Sequence, residues 1–544
     1  MYAQNRAGPA RSALALALVM LTLMGVAGIL LAPVNPAHAH ASLVRAEPAD
    51  GSVVAAAPKA FALVFSEPTS PLVLKLAKPD GTSVTLDRFV LRDTTLDIEA
   101  PADLGDGTYV LSWRIVSEDG HPVGGSAVFS IGAPGAVQAH ASEPVDWPVR
   151  GAVWVAKVAL YAGLFIGAGG AFFIGWVGGE TQTARRAALW GLAAGLVATP
   201  LSVGVQGLDA LGRPLTDLGA TEAWVAGFST SYGLTALLAF GALGLAAVSL
   251  AIAAGTTRRV LTLIALVAAG LALAASGHAS AAQPQWLTRP AVFLHGVGIA
   301  FWAGSLVPLA AAFGLRDGNG AAALRRFSLI IPVAVVALVA AGGVLAVIQL
   351  RSVEALWTTD YGKLLLIKLA LLAALFLLAA VNRFNLTGPA LRGEVTAIRR
   401  LRRSIGVELV LVLAIFAVAA GWRFTPPPRS LAEAAAAPAF LHIHGEKAMA
   451  DVTITPGRAG RVRAEIAVQT GEFTPLDAKG VTLVLSNPAA GIEQIRRPAA
   501  RSGEGTWSVE SLDLPLPGQW QVRIDILISD FEMTRLSDVV EIRP

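Results

Sequence analysis

The sequence predicts a mixed multidomain fold: an N-terminal immunoglobulin-like or cupredoxin-like β-sandwich, an α-helical bundle of eight transmembrane helices, and a C-terminal immunoglobulin-like β-sandwich. Three observations predict it. Of 544 residues, 54% are hydrophobic and 15% charged, with a mean hydropathy of +0.60, whereas soluble domains carry about 25% charged residues. Apolar runs near 150–177, 187–206, 229–254, 260–277, 290–313, 328–350, 361–381 and 404–422 are each about long enough to cross roughly 30 Å of hydrocarbon. Both flanks instead alternate apolar and polar residues between turn signals.

Residues 1–39 read as a secretory signal. Arg6 and Arg11 form a basic n-region, 13–31 an apolar core, and Ala37-His38-Ala39 a small-x-small cleavage site. Cleavage there makes His40 the first mature residue; a retained anchor is the alternative, because the apolar stretch is long. Residues 40–132 form the first sandwich. Ala60-Phe-Ala-Leu-Val-Phe65, Leu72-Val-Leu-Lys-Leu76 and Tyr109-Val-Leu-Ser-Trp-Arg-Ile115 have period two, and Asp50-Gly51, Pro79-Asp80-Gly81 and Asp106-Gly107 punctuate them. About seven short strands in some 100 residues suit an immunoglobulin-like sandwich. A linker over 133–147 leads to the membrane domain, 148–424. A second Pro/Ala-rich linker, 425–439, leads to the last sandwich, 440–544, with strands such as Val481-Thr-Leu-Val-Leu485 and Trp520-Gln-Val-Arg-Ile-Asp-Ile526.

Charge fixes the expected topology. The net charge of +4 divides into +2 over 1–39, −7 over 40–147, +12 over 148–439 and −3 over 440–544. With the first sandwich outside, the inside loops carry 13 arginines (185, 186, 258, 259, 316, 325, 326, 383, 392, 399, 400, 402 and 403) and the outside loops three, Arg213, Arg289 and Arg351. This is the positive-inside pattern. It predicts a multi-pass protein of the cytoplasmic (inner) membrane with both sandwiches on the periplasmic or extracellular side. The basic charge then reports topology in a lipid bilayer, not nucleic-acid binding.

Absences narrow the chemistry. There is no cysteine, which excludes disulfides, iron–sulfur clusters and thiolate sites. Three of five methionines lie within the first 24 residues, so a Met-rich soft-metal path is excluded too. No Gly-x-x-x-x-Gly-Lys-Ser/Thr phosphate loop occurs. The chain shows no energy source of its own and no enzymatic constellation. What remains is imidazole. His38 leaves with the signal; His40, His121, His140, His278, His295, His442 and His444 all fall on the outer side or near the outer membrane face. Imidazole suits Zn, Cu, Fe and Ni.

A mature N-terminal His40 offers its α-amine and its ring to one metal as a chelate, a nitrogen set that favours Cu(II). Asp119-Gly120-His121 adds a carboxylate and a second imidazole two residues apart, which an extended segment turns to one face. By spacing alone, a solvated terminal histidine and an ordinary Asp-Gly turn read equally well. The text around these residues is more specific. His40-Ala-Ser-Leu-Val-Arg-Ala-Glu-Pro-Ala-Asp-Gly-Ser52, Phe65-Ser-Glu-Pro68 and Ser112-Trp-Arg-Ile-Val-Ser-Glu-Asp-Gly-His-Pro-Val-Gly-Gly125 closely resemble the periplasmic copper-resistance family CopC, over essentially all of 40–132. The resemblance implies Cu(II) ligation by His40, Asp119 and His121, with Glu67 orienting the amine end. The Met-rich Cu(I) site of some members has no counterpart here.

The membrane part resembles CopD, the family usually encoded with CopC or fused to it. Ser276-Gly-His-Ala279, Phe293-Leu-His-Gly-Val-Gly-Ile-Ala-Phe-Trp-Ala-Gly-Ser-Leu306, Tyr361-Gly-Lys-Leu-Leu-Leu-Ile-Lys368 and Asn382-Arg383 carry it, over most of 150–422. His278 sits at the outer end of the fourth span. His295 lies six residues past Arg289, roughly 9 Å below the outer boundary. Antiparallel neighbours would bring the two into one membrane site; packing histidines bonded to carbonyls are the alternative. Lys363 snorkels. The deeper Lys368 is expected to pair with Glu408, or both line a transport path. Gly163/Gly167 and Gly191/Gly195 are small-xxx-small pairs for close helix packing. In the last sandwich, which weakly resembles the YtkA-like domain of fused CopC–CopD chains, His442 and His444 share a strand face and could chelate with Glu446 or Asp451 nearby; exposed strand histidines are the alternative. His140 lacks a free amine and is incidental.

The resemblance implies a copper ion as ligand, captured as Cu(II), moved across the cytoplasmic membrane in the uptake direction for copper homeostasis or resistance, with periplasmic copper chaperones as partners. Two other readings stay open: a haem-binding electron-transfer protein using His278 and His295 as axial ligands, and a membrane-anchored copper metallochaperone without transport.

Overall fold

A computed structural model describes residues 43–48, 52–54, 56–65, 68–117, 122–132, 146–313, 319–445, 447–471, 474–529 and 531–543. The signal, His40, Glu67, Asp119, His121, His140 and Glu446 lie outside them.

The first domain is a two-sheet sandwich. One sheet has the order β1-β3-β7-β6, with β1 Leu43–Glu47, β3 Ala60–Phe65, β6 Phe89–Arg92 and β7 Thr95–Glu99. The other has the order β2-β9-β8-β4-β5, with β2 Ser52–Val54, β4 Ser70–Ala77, β5 Ser83–Thr85, β8 Gly107–Val116 and β9 Pro122–Ile131. The period-two pattern has the expected result: Phe61, Leu63 and Phe65 point inward while Ala62 and Val64 are only half-buried. They meet Leu111, Trp113, Ile115 and Phe129 from the opposite sheet, and Phe129 stacks on Tyr109 with ring centroids 5.5 Å apart.

Among the described residues eight helices are long and apolar enough to cross a membrane. They are α1 Trp147–Trp176, α2 Gln182–Leu211, α3 Tyr232–Ala251, α4 Thr256–Ala274, α5 Gln285–Ala312, α6 Gly320–Leu350, α7 Asp360–Leu391 and α8 Val395–Gly421. Local chemistry sets several ends. Asp146 caps α1 by accepting from the Val149 N–H at 3.0 Å, and Thr181 caps α2 from the Ala184 N–H at 2.9 Å. Gly212, at φ 63°, stops α2 in the left-handed conformation that terminates helices. Gly163 and Gly195 face each other so closely that a Cβ on Gly163 would lie 2.7 Å from the Gly195 Cα. The small-xxx-small reading thus holds as an α1–α2 backbone contact. This stretch of α1, Ala162–Ala168, is wound as a π-helix, which the sequence did not announce.

Arginines that the sequence assigns to inner loops also close helix ends. Arg185 donates to the Leu250 carbonyl at the end of α3 and Arg326 to the Val177 carbonyl just past α1, at 3.1 Å each. Both satisfy carbonyls that a helix C-terminus leaves without partners. On the other side, Thr221–Ser229 forms a short helix where sequence reading expected a plain loop. It folds back because Ala223 joins Val149, Val153, Val205 and Leu208 in one buried cluster.

The last domain is a sandwich of sheets β10-β11-β12-β16-β15 and β14-β13-β17-β18. Its strands are β10 Ala439–His444, β11 Met449–Thr455, β12 Gly460–Gln469, β13 Gly480–Asn487, β14 Ile492–Pro498, β15 Ala500–Gly503, β16 Thr506–Leu514, β17 Gly518–Ser529 and β18 Glu532–Ile542. Val481, Leu483 and Leu485 pack against Val522, Ile524 and Ile526 around a fully buried Trp520.

Both sandwiches sit at the same end of the bundle. Arg114 on β8 donates to the Asp209 and Ala210 carbonyls at the end of α2, at 3.2 Å each. Arg423, just beyond α8, pairs with the Asp209 carboxylate at 2.9 Å. Arg45 on β1 lies over the Phe440 ring on β10, 5.6 Å from its centroid.

Candidate metal sites

The strands adjoining the three expected outer ligand residues and their helper all end at one edge of the first sandwich. Leu43, three residues after His40, pairs with Phe65, two residues before Glu67. Val116 pairs with both Ser70 and Pro122, so the segment holding Asp119 and His121 connects two paired strands at that edge. Against it lies a cavity of about 400 Å³, lined by Pro68, Thr69, Ser70, Val116 and Ser117 and, from the bundle, by Ser229, Thr230 and Ser231 between the short outer helix and α3. The Arg114 contact with α2 holds the two parts together here.

In the bundle, His295 stands ten residues into α5, roughly 15 Å from its start. The helix begins four residues before Arg289. The His295 Nδ1–H donates to the Leu338 carbonyl on α6 at 3.1 Å, which leaves the lone pair on Nε2. Gly342 makes the approach possible: a Cβ there would lie 3.0 Å from His295 Cε1. His278 opens the short helix His278–Ala281, and its carbonyl accepts from the Gln349 amide at 2.9 Å. Leu338 and Gln349 are eleven residues apart on α6, roughly 16 Å along its axis. The two histidines are therefore anchored at different depths.

The expected Lys368–Glu408 ion pair does not form. The Lys368 ammonium sits 4.7 Å from the centroid of the Trp422 ring, while Glu408 accepts from Asn382 Nδ2 at 2.7 Å. Trp422 lies fourteen residues beyond Glu408, roughly 21 Å along α8, so the two charges occupy opposite ends of the bundle. Lys363 pairs with Asp360 at 2.9 Å. Sequence reading also missed a polar cluster beneath the first sandwich. Ser202 and Tyr232 share a hydrogen bond of 2.7 Å, Arg423 pairs with Asp209, and Arg423 is near Lys157 of α1. Part of the signal was present: Lys157 interrupts the apolar run 150–177.

In the C-terminal sandwich, His442 and His444 meet. Their Nε2 atoms are 2.8 Å apart, and Asp451, directly opposite His442 on β11, accepts from His442 Nδ1 at 2.5 Å. Among the described residues, no group of three or more histidine or carboxylate side chains is arranged to hold a metal ion. Asp451 lies on the far side of the His442 ring from the converging nitrogens, so it orients rather than completes the pair.

Comparison with known proteins fits this layout. The CopC domain family matches residues 43–132, and the copper resistance protein D family, CopD, matches 321–422, which is α6 to α8 and less than the membrane resemblance seen in the sequence. The chain is 24% identical over 533 residues to the copper transport protein CutJ of Bacillus subtilis (strain 168), across 91% of this chain and 94% of that one. It is 33% identical over 105 residues to copper resistance protein C of Xanthomonas campestris pv. juglandis, across 18% of this chain and 82% of that one. The crystal structure of CopC from Methylosinus trichosporium OB3b is 30% identical, covers 18% of this chain and 99% of its own, and superimposes with a TM-score of 0.16. The chain thus belongs to the CopC copper-resistance family, here joined in one polypeptide to a CopD domain.

Proposed function

We propose that this protein captures Cu(II) on the outer face of the cytoplasmic membrane and carries copper inward. Capture falls to the His40 α-amine and ring, Asp119 and His121, with Glu67 orienting the amine. The observation that carries this reading is the shared cavity. The strand ends that flank those residues line one wall, and the Ser229–Ser231 turn of the bundle lines the other. An ion released at that edge is delivered to the bundle and not to bulk water. The acidic sandwiches, −7 over 40–147 and −3 over 440–544, raise the local concentration of cations.

Within the bundle, His278 and His295 serve as successive stations. Their staggered anchors support this over a single shared site, and over one haem iron held between them. The His295 Nε2 lone pair is presented by the Nδ1–H bond to Leu338, the arrangement that orients imidazole ligands in metal sites. The Lys368 ammonium lies over the Trp422 ring. Glu408, bonded to Asn382, lies toward the cytoplasmic end. The YtkA-like character of the last sandwich rests on sequence resemblance alone. The reading is tested by copper accumulation in proteoliposomes with the sandwiches outward. Accumulation at low external copper should fall when one residue is added before mature His40; unchanged accumulation would detach capture from transport and favour a metallochaperone anchor.

A further inference from the structure

The geometry points to a second Cu(II) site, a cis pair of imidazoles made by His442 and His444 on the edge strand of the C-terminal sandwich and oriented by Asp451. Leu441 and Ile443 of β10 face the core, so Phe440, His442 and His444 share the outer face. The two rings lie nearly perpendicular, at 78°, with centroids 4.4 Å apart and Nε2 atoms 2.8 Å apart.

The 2.8 Å separation is that of the hydrogen bond the two rings make without metal, and the same ring placement also fits one coordination geometry. Two imidazole nitrogens each about 2.0 Å from one ion are about 2.8 Å apart when they subtend roughly 90°, and about 3.3 Å apart when the angle is tetrahedral. The ring centroids, each about 1.2 Å behind its nitrogen, would then be about 4.5 Å apart in the square arrangement and about 5.2 Å apart in the tetrahedral one. Both observed distances match the right angle. Square-planar or tetragonal nitrogen and oxygen ligation is the preference of Cu(II), whereas structural Zn is tetrahedral.

Asp451 supplies the orientation. By accepting the His442 Nδ1 proton it fixes the tautomer with the lone pair on Nε2, aimed at His444. In the metal-free protein the His444 Nε2–H donates into that lone pair; moving this proton to Nδ1 frees the second ligand. Water or an incoming donor takes the other equatorial positions. The pair stands two residues along β10 from Phe440, about 7 Å from where Arg45 of the first sandwich covers that ring. The second site thus adjoins the capture domain. It is an equilibrium binding site, so it stands or falls separately from transport.

The test uses full-length protein in detergent, in a background with His40, Asp119, His121, His278 and His295 all changed to Ala, titrated with Cu(II) and followed by electron paramagnetic resonance. One Cu(II) with couplings to two imidazole nitrogens is expected, lost in His444→Ala and in His444→Gln. His444 is exposed, so neither change disturbs the core, and an unchanged melting curve confirms this. Asp451→Ala should weaken binding about 10–100-fold with the same spectrum, and Asp451→Asn, which still accepts the proton, should restore most of it. Identical copper content and spectrum with and without His444 would overturn the site. So would displacement of the copper by equimolar Zn(II).

Discussion

Two histidine pairs in this chain were expected to converge, and the strand pair, whose approach the sequence could guarantee, meets. His442 and His444 are two residues apart on β10, and their rings meet. His278 and His295 are seventeen apart on successive elements, and their anchors on α6 differ in depth by roughly 16 Å. The difference is physical. A strand puts residues i and i+2 on one face whatever surrounds it. Two helices bring side chains together only if their starting points and tilt agree, and each residue of error moves a ligand by about 1.5 Å.

The His40 chelate is the most local pairing of all, because amine and ring belong to one residue. It gives the largest expected effect. Adding one residue before mature His40 should weaken Cu(II) binding by the outer sandwich by roughly a hundredfold or more, measured by competition with a chromophoric chelator. Unchanged affinity would remove the terminal amine from the ligand set.

This division between local and distant also explains what could be read in advance. The sandwiches were legible because period-two runs such as Ala60–Phe65 are buried on alternate residues. The eight spans were legible from apolar length. Gly163 and Gly195 were legible as a contact because only glycine permits that backbone approach. The Lys368–Glu408 pairing failed because opposite charge says nothing about depth: α7 and α8 place the two at opposite ends. The Arg114 dock on α2 and the Arg45 contact with Phe440 were invisible, since nothing local in β8 or β1 marks a surface that meets another domain.

A smaller effect sharpens the helical half of the comparison. If His278 and His295 are separate stations, His278→Ala and His295→Ala should each slow copper flux, and the double variant should multiply the two losses. If they hold one ion together, the double variant will be no slower than the worse single one. Smaller still is Gly342→Ala. The new methyl would press on His295 Cε1 and lengthen the bond to Leu338, lowering flux a few-fold and stability by about 1–3 kcal/mol, read from a thermal melt with the flux assay beside it. A variant with wild-type flux and melting would show that the ring's seat on α6 is not needed.

The central claim is that copper crosses the bundle past His295. The most direct measurement is copper flux into proteoliposomes, in both oxidation states, for the wild-type chain and for His295→Ala. The account predicts internal copper with the wild type and accumulation roughly tenfold slower, still above the lipid background, with His295→Ala, while Cu(II) binding by the outer sandwich is equal in both. Wild-type flux in the variant, or no flux in either chain with Cu(II) binding intact, would contradict it.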